Sequence, residues 1–107
     1  MLVKTIEIPR DKITDFCQRW QIEELAFFGS VLRDDFRPDS DIDILVTFEP
    51  NSQHTLFDRV DMQDELEVIF GRQVDLVSRR GIERSHNYIR RQAILSSAEV
   101  FYAAPRS

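Results

Sequence analysis

The sequence predicts a small α/β domain of the α+β type, in which helices pack on one side of a mixed β-sheet. Three observations lead to this fold class. Segments with the 3.6-residue apolar spacing of helices alternate with short apolar runs of strand length. Pro, Gly, Asn and Ser mark the changes between them. The length of 107 residues, without an internal repeat or a linker, suits a single domain over residues 1–107.

Two segments have the spacing of long amphipathic helices. The first follows Pro9, a residue that suits the start of a helix. Its apolar stripe falls at i, i+3, i+4 and i+7: Ile13, Phe16, Cys17 and Trp20. The second covers residues 56–70 and should end at Gly71. Its stripe consists of Met62, Leu66, Ile69 and Phe70. We expect both helices to pack on the sheet, which makes Cys17 a core thiol rather than a nucleophile.

Short apolar runs bounded by turn residues predict four strands, over residues 25–28, 42–48, 73–77 and 99–102. Residues 2–8 alternate loosely and suit either an edge strand or an ordered arm. A short helix over residues 31–36, a turn at 79–81 and a third long helix over 88–95 complete the pattern. The predicted order is therefore α, β, short α, β, α, β, α, β.

Composition and charge narrow the function classes. The chain is 42% hydrophobic and 31% charged, which is typical of a globular protein. Its formal net charge of −5 argues against direct nucleic-acid binding through a basic face, although a metal ion could still bring in a nucleotide. A lone cysteine, Cys17, excludes an intrachain disulfide. Without a signal-peptide pattern or an apolar run near the ~20 residues of a membrane span, we expect a cytoplasmic protein with no membrane contact.

The chemistry is concentrated in the stretch LAFFGSVLRDDFRPDSDIDILV, residues 25–46. Gly29 and Ser30 follow a predicted strand and open a predicted helix, whose first N–H groups and positive dipole end suit a phosphate. Ten residues separate Ser30 from Asp41, and a single residue separates Asp41 from Asp43 at the start of the next strand. Their side chains should share a face, with Cα atoms roughly 6.6 Å apart. Two such carboxylates are suited to Mg²⁺, which prefers hard oxygen ligands and often shares them with substrate phosphates.

Asp75 is a third candidate, because it is a lone carboxylate within an apolar strand. If that strand lies beside the strand of Asp41 and Asp43, all three carboxylates can share one face. A third carboxylate there could complete a metal site or accept the proton of an attacking hydroxyl.

These motifs resemble a known family. FGSVLRDDFRPDSDIDILV is similar to the signature of the DNA polymerase β-like nucleotidyltransferases, and in particular to that of the minimal nucleotidyltransferase (MNT) domains. GRQVDLV matches the strand that carries the third aspartate in that family. NYIRRQAILSSAEVFYAA is similar to the closing helix and strand of MNT antitoxins. The resemblance covers nearly the whole chain and implies the nucleotidyltransferase fold.

The resemblance also implies the site. Asp41 and Asp43 would hold Mg²⁺ against the phosphates of ATP, and Asp75 would bind the catalytic ion of a two-metal mechanism and help to deprotonate the acceptor. Gly29 and Ser30 would hold the β- and γ-phosphates. Arg33 either contacts phosphate or pairs with a neighbouring aspartate, since this chain has Asp34 where the family often has Gly.

The implied activity is transfer of AMP from ATP to a protein hydroxyl, with release of pyrophosphate. For MNT antitoxins the implied partner is a HEPN-domain RNase toxin, modified on a tyrosine and held in a hetero-oligomer. Two other functions stay open. The chain could be a non-catalytic antitoxin that neutralises its toxin by binding, or a nucleotidyltransferase acting on a small molecule.

Two surface features also have open interpretations. Leu56, Phe57 and Val60 lie beside the apolar stripe of the second helix, and either complete the core or form a partner surface. Five arginines form a basic cluster: Arg79, Arg80, Arg84, Arg90 and Arg91. They either form a solvated face, or dock an acidic partner, or steer ATP.

Overall fold

A mixed sheet of four strands forms the centre of the computed structural model, which describes residues 2–3, 6–29 and 41–104. The elements in chain order are β1 (Leu2–Val3), β2 (Ile6–Glu7), α1 (Arg10–Arg19), β3 (Ile22–Phe28), β4 (Ile42–Phe48), α2 (Leu56–Phe70), β5 (Val74–Ser78), α3 (Arg79–Glu83), α4 (Tyr88–Ser97) and β6 (Glu99–Ala103). The short helix predicted over residues 31–36 lies outside the described residues.

The sheet has the strand order β5-β4-β3-β6. β3 runs antiparallel to both β4 and β6, whereas β4 and β5 are parallel. The parallel pair is connected through α2, as a parallel crossover requires. β1 and β2 form a separate antiparallel pair, so the loosely alternating residues 2–8 contain two very short strands.

One face of the sheet, which we call the main core face, is covered by α1 and α2. Its buried residues belong to one continuous cluster: Ile8, Ile13, Phe16, Cys17, Ile22, Leu25, Phe27, Ile42, Ile44, Val46, Met62, Leu66, Val74 and Leu76. The predicted stripes of both helices contribute to this cluster. The burial of Cys17 confirms that it is a core thiol.

The opposite face is covered by α3 and α4, and we call it the carboxylate face. Its smaller cluster consists of Ala26, Phe28, Leu45, Ile82 and Ile94. The mixed α/β class is therefore confirmed, but the prediction that helices pack on one side is wrong. The physical reason is that β3 and β4 bury alternate residues on both faces, and Ile82 and Ile94 of the two later helices cover the second set.

The helix ends follow from local side-chain chemistry. Thr55 and Asp58 form a reciprocal capping box at the start of α2, and Gly71 ends that helix in the left-handed region at φ +69°. Residues 79–81, predicted as a turn, instead begin α3, because the Ser78 hydroxyl accepts the N–H of Gly81 at 3.0 Å. Within the described ranges, no helix is long and apolar enough to cross a membrane.

Candidate functional site

Asp43 lies at the centre of the candidate site, as the second residue of β4. Its neighbour across the antiparallel pair is Phe28, and its neighbour across the parallel pair is Asp75. The Asp43 side chain is half-buried. Since Ile42 and Ile44 are on the main core face, alternation along the strand places Asp43 on the carboxylate face.

Asp75 is placed by the parallel register of β4 and β5. Neighbouring strands lie about 4.8 Å apart, and register partners point to the same side of a sheet. Because Val74 and Leu76 are on the main core face, Asp75 lies on the carboxylate face together with Asp43. The prediction that these two carboxylates share a face is confirmed. Asp75 is exposed, as expected for a residue on an edge strand.

Asp41 is the exposed residue immediately before β4. In the described part of the chain, no group of three or more Asp, Glu, His or Cys side chains is arranged to hold a metal ion. The structure thus places Asp43 and Asp75 side by side and leaves Asp41 flanking them. Two further predicted residues, Ser30 and Arg33, lie outside the described ranges.

Gly29 follows β3 directly and faces the Asp43 carboxylate. Its φ of +75° is in the left-handed region, which favours glycine. A Cβ built on Gly29 would collide with Oδ2 of Asp43 and lie 3.2 Å from its Cγ. The missing side chain therefore lets the backbone approach the Asp43 carboxylate, which occupies the position that a Cβ of Gly29 would take.

The donor set of this site fits a hard divalent cation. Two carboxylates in register repel each other when both are ionised, and a cation between them offsets that repulsion. Mg²⁺ is usually held by one or two carboxylates, with waters and substrate phosphates supplying its other ligands. Asp43 and Asp75, which are in register on neighbouring strands, can supply the two carboxylates of such a site.

Two side chains of α2 contact the outer edge of β5, on either side of Asp75. Glu67 accepts the backbone N–H of Val74 at 3.0 Å through Oε2. Arg59 donates from Nη2 to the carbonyl oxygen of Leu76 at 3.2 Å. The sequence analysis missed both contacts, because a charged residue on a helix gives no signal of which backbone group it will meet.

A separate cavity of about 710 Å³ lies at the other end of the parallel strands, remote from the carboxylates. Its lining combines apolar and cationic side chains, among them Phe48, His54, Leu56, Arg59, Arg79 and Arg80. The sequence analysis missed this cavity too, because segments far apart in the chain form its walls.

Side-chain exposure and ion pairs decide between the interpretations that the sequence left open for the apolar residues of α2 and for the basic cluster. Leu56 and Phe57 are 82% and 83% exposed, which rules out a place in the core and favours a partner surface. In the basic cluster, Arg79 lies 3.7 Å from the carboxylates of both Glu24 and Glu83. The positive charge of at least part of this cluster is therefore balanced by carboxylates of the chain itself.

The thiol of Cys17 is buried and stays protonated in the folded protein. Burial raises the pKa of its thiol to about 12, because the thiolate would lose its hydration in the core. A thiol that stays protonated at neutral pH is a poor nucleophile and a poor metal ligand. This excludes Cys17 from the site chemistry.

Comparison with known proteins gives a consistent family. Residues 10–98 match the family model described as a nucleotidyltransferase domain. The protein adenylyltransferase MntA of Thermococcus cleftensis is 35% identical over 66 residues, which cover 62% of this chain and 65% of that protein. The chain thus spans slightly less than two thirds of that relative. A solved structure described as a minimal nucleotidyltransferase has a TM-score of 0.64 at 36% identity, covering 84% of this chain and 86% of that one.

Two solved toxin–antitoxin complexes also contain a chain with this fold. One, with AMP-PNP, gives a TM-score of 0.70 at 20% identity over 91% of this chain and 75% of that chain. The other contains the tri-AMPylated HEPN toxin of Shewanella oneidensis with its MNT antitoxin. It gives a TM-score of 0.59 at 20% identity, covering 89% of this chain and 70% of that one. At this identity the two complexes show the fold alone.

Proposed function

Since the chain belongs to the nucleotidyltransferase domain family, we propose that it transfers AMP from ATP to a hydroxyl group of a partner protein. The observation that carries the proposal is the register of Asp43 with Asp75, beside the backbone approach at Gly29. Two neighbouring carboxylates, one of them in close contact with the backbone of Gly29, are suited to a polyphosphate that arrives with divalent cations.

The residues have separate tasks in this reaction. Asp43 and Asp75, flanked by Asp41, would hold Mg²⁺ at the phosphates of ATP, and Gly29 and Ser30 would offer backbone N–H groups to those phosphates. Bound Mg²⁺, which we propose as two ions, supplies the positive charge that offsets the charge of the phosphates.

The transfer step forms one bond and breaks another at the α-phosphorus of ATP. The acceptor oxygen bonds to the α-phosphorus, the bond to the bridging oxygen of the β-phosphate breaks, and pyrophosphate leaves. The acceptor proton passes to the carboxylate of Asp75, which is exposed on its edge strand and can meet an incoming side chain. Arg33, which lies outside the described residues, would either bind a phosphate or pair with a neighbouring aspartate.

The partner in this proposal is a HEPN-domain toxin, and the acceptor is one of its tyrosines. Support comes from one complex of related fold, in which an MNT antitoxin is bound to a HEPN toxin that carries AMP groups. The relative from Thermococcus cleftensis is also named as a protein adenylyltransferase. The proposed role of this chain is that of an antitoxin.

The test is intact-mass analysis of a candidate HEPN-domain partner, expressed from the genome that encodes this chain. We expect ATP, Mg²⁺ and this chain together to add the mass of one or more AMP groups. Omission of Mg²⁺ should abolish the addition, and Asp64→Asn, which changes an exposed carboxylate of α2, should not alter it. An unmodified partner with the complete mixture would contradict the proposal.

A second function, neutralisation by binding, is favoured by the exposed Leu56 and Phe57. A stoichiometric inhibitor needs an apolar contact surface but no turnover. The two functions are distinguished by how much of this chain is needed to inactivate a given amount of toxin. A catalyst at one-hundredth of the toxin concentration inactivates all of the toxin in time, whereas a binder inactivates only an equimolar amount.

A further inference from the structure

β5 is an edge strand, and its outer edge has no neighbouring strand in the four-stranded sheet. On its inner side, Ile42 of β4 donates its N–H to the carbonyl of Gln73 at 3.0 Å. Edge strands are held by one row of hydrogen bonds, so they twist and shift more easily than central strands. Asp75 is on this edge, and its distance from Asp43 depends on how firmly β5 is fixed.

Glu67 fixes the start of β5 through two bonds. Its side-chain Oε2 accepts the N–H of Val74 at 3.0 Å, and its backbone carbonyl accepts the N–H of Gly71 at 2.8 Å. The first bond holds the residue next to Asp75, and the second holds the left-handed end of α2. Residues 71–73, which connect α2 to β5, are thus tied at both ends to one residue.

Arg59 makes the corresponding contact on the other side of Asp75. Its Nη2 donates to the carbonyl of Leu76 at 3.2 Å, and the side chain is half-buried against the sheet. The two bonds from α2 therefore reach the backbone immediately before and immediately after Asp75. Both acceptor–donor pairs include a charged group, which strengthens a hydrogen bond.

We propose that Glu67 and Arg59 are positioning residues that hold Asp75 in register with Asp43 and thereby set the metal affinity of the pair. This inference rests on the proposed function, because it assigns a ligand role to Asp75. Groups that orient metal ligands typically change metal affinity 10- to 100-fold when they are removed. Neither residue needs to touch the metal or the nucleotide for this effect.

The test compares Glu67→Leu with Glu67→Gln, using Mn²⁺ with ATP as the probe. Glu67→Gln keeps an acceptor oxygen for Val74 but loses the charge, whereas Glu67→Leu loses both. We expect Glu67→Leu to weaken Mn²⁺ binding, measured by electron paramagnetic resonance, at least about tenfold. Glu67→Gln should bind within about threefold of the wild type.

Hydrogen exchange at the Val74 amide provides a readout that does not depend on activity. We expect faster exchange in Glu67→Leu and near-wild-type exchange in Glu67→Gln. Asp64→Leu is the matched control, because it removes one exposed carboxylate from the same helix. It should leave both readouts unchanged. A loss of Mn²⁺ affinity in Glu67→Gln equal to that in Glu67→Leu would mean that charge, not position, is responsible, and would overturn the inference.

A second pair of variants covers the case in which Glu67→Leu does not fold. Arg59→Met removes the donor to Leu76 but keeps a long apolar side chain, and Arg59→Lys keeps a donor. We expect Mn²⁺ affinity to fall in Arg59→Met and to be partly restored in Arg59→Lys. If the wild type binds Mn²⁺–ATP and every variant binds it equally, the positioning inference fails alone. If the wild type binds none, the proposed function fails with it.

Discussion

The two faces of the sheet differ in how much apolar surface they bury and in what they leave open. On the main core face, fourteen described residues are buried in one cluster under α1 and α2. On the carboxylate face, five are buried under α3 and α4, and Asp43 and Asp75 share that face. A complete core on one side allows the other to keep carboxyl groups within reach of solvent. The difference indicates that the main core face provides most of the stability, whereas the carboxylate face carries the residues of the candidate site.

The largest effect is expected from Asp43→Ala, which tests this division from the carboxylate face. We expect the rate of AMP transfer to fall by at least about 10²–10³-fold, because charge stabilisation at the phosphates is lost. The melting temperature should fall less than in a truncation of the main core face, because Asp43 is half-buried and belongs to neither apolar cluster. Transfer assays and thermal melts on the same samples give both values. Full activity in Asp43→Ala would show that Asp43 is not part of the site.

The next largest effect is expected from Leu66→Ala on the main core face. Leu66 is fully buried, and such truncations cost about 2–5 kcal/mol in the free energy of unfolding. Ile94→Ala on the carboxylate face should cost less, because a smaller cluster relaxes more easily around the cavity. Urea unfolding of both variants measures the difference. A greater loss in Ile94→Ala would reverse the assignment of stability to the main core face.

A smaller effect is expected from alanine at the two left-handed glycines, which form a matched pair. Gly29 and Gly71 have nearly the same positive φ, so the backbone strain of an added side chain is similar, about 1 kcal/mol each. A Cβ at Gly71 meets nothing within 4 Å, whereas one at Gly29 collides with the Asp43 carboxylate. We therefore expect Gly29→Ala to lose ATP affinity and Gly71→Ala to keep it, as measured by calorimetry. Equal affinities would mean that the close approach at Gly29 has no role in binding.

The effect that is smallest at neutral pH is a pH dependence that originates on the main core face. Burial raises the thiol pKa of Cys17 from 9.0 to about 12, so the folded protein keeps this proton where the unfolded chain loses it. The contribution to stability is complete below pH 9 and decreases as pH rises towards 12. Cys17→Ala should flatten that part of the profile of unfolding free energy against pH. An identical slope in the variant would show that Cys17 does not contribute to it.

Much of the main core face could be predicted from sequence because its signals are local. The bounds of β4 and α2 match the predicted ranges, since an apolar run bounded by turn residues, a helical stripe and Gly71 are all local signals. Strand β3 begins three residues earlier than predicted, at Ile22, because Glu23 and Glu24 interrupt the apolar run that the prediction relied on.

The carboxylate face was less predictable because its structure depends on contacts between distant segments. The spacing of Asp41 and Asp43 was visible in the sequence, but the pairing of Asp43 with Asp75 required knowledge that β4 and β5 are neighbours. The prediction that the helices pack on one side of the sheet was wrong for the same reason, because it also depends on contacts between distant segments. Ile82 is a single apolar residue in a five-residue helix, which is too short to show a period.

The central claim, that Asp43 and Asp75 together form a site for a metal-bound nucleotide, is tested most directly by calorimetric titration of ATP. The titration is made with and without Mg²⁺ on the wild type, Asp43→Asn and Asp75→Asn. The account predicts ATP binding by the wild type that depends on Mg²⁺, and loss of that dependence in both variants, which keep the side-chain shape. Mg²⁺-dependent binding of wild-type strength in both variants would contradict it.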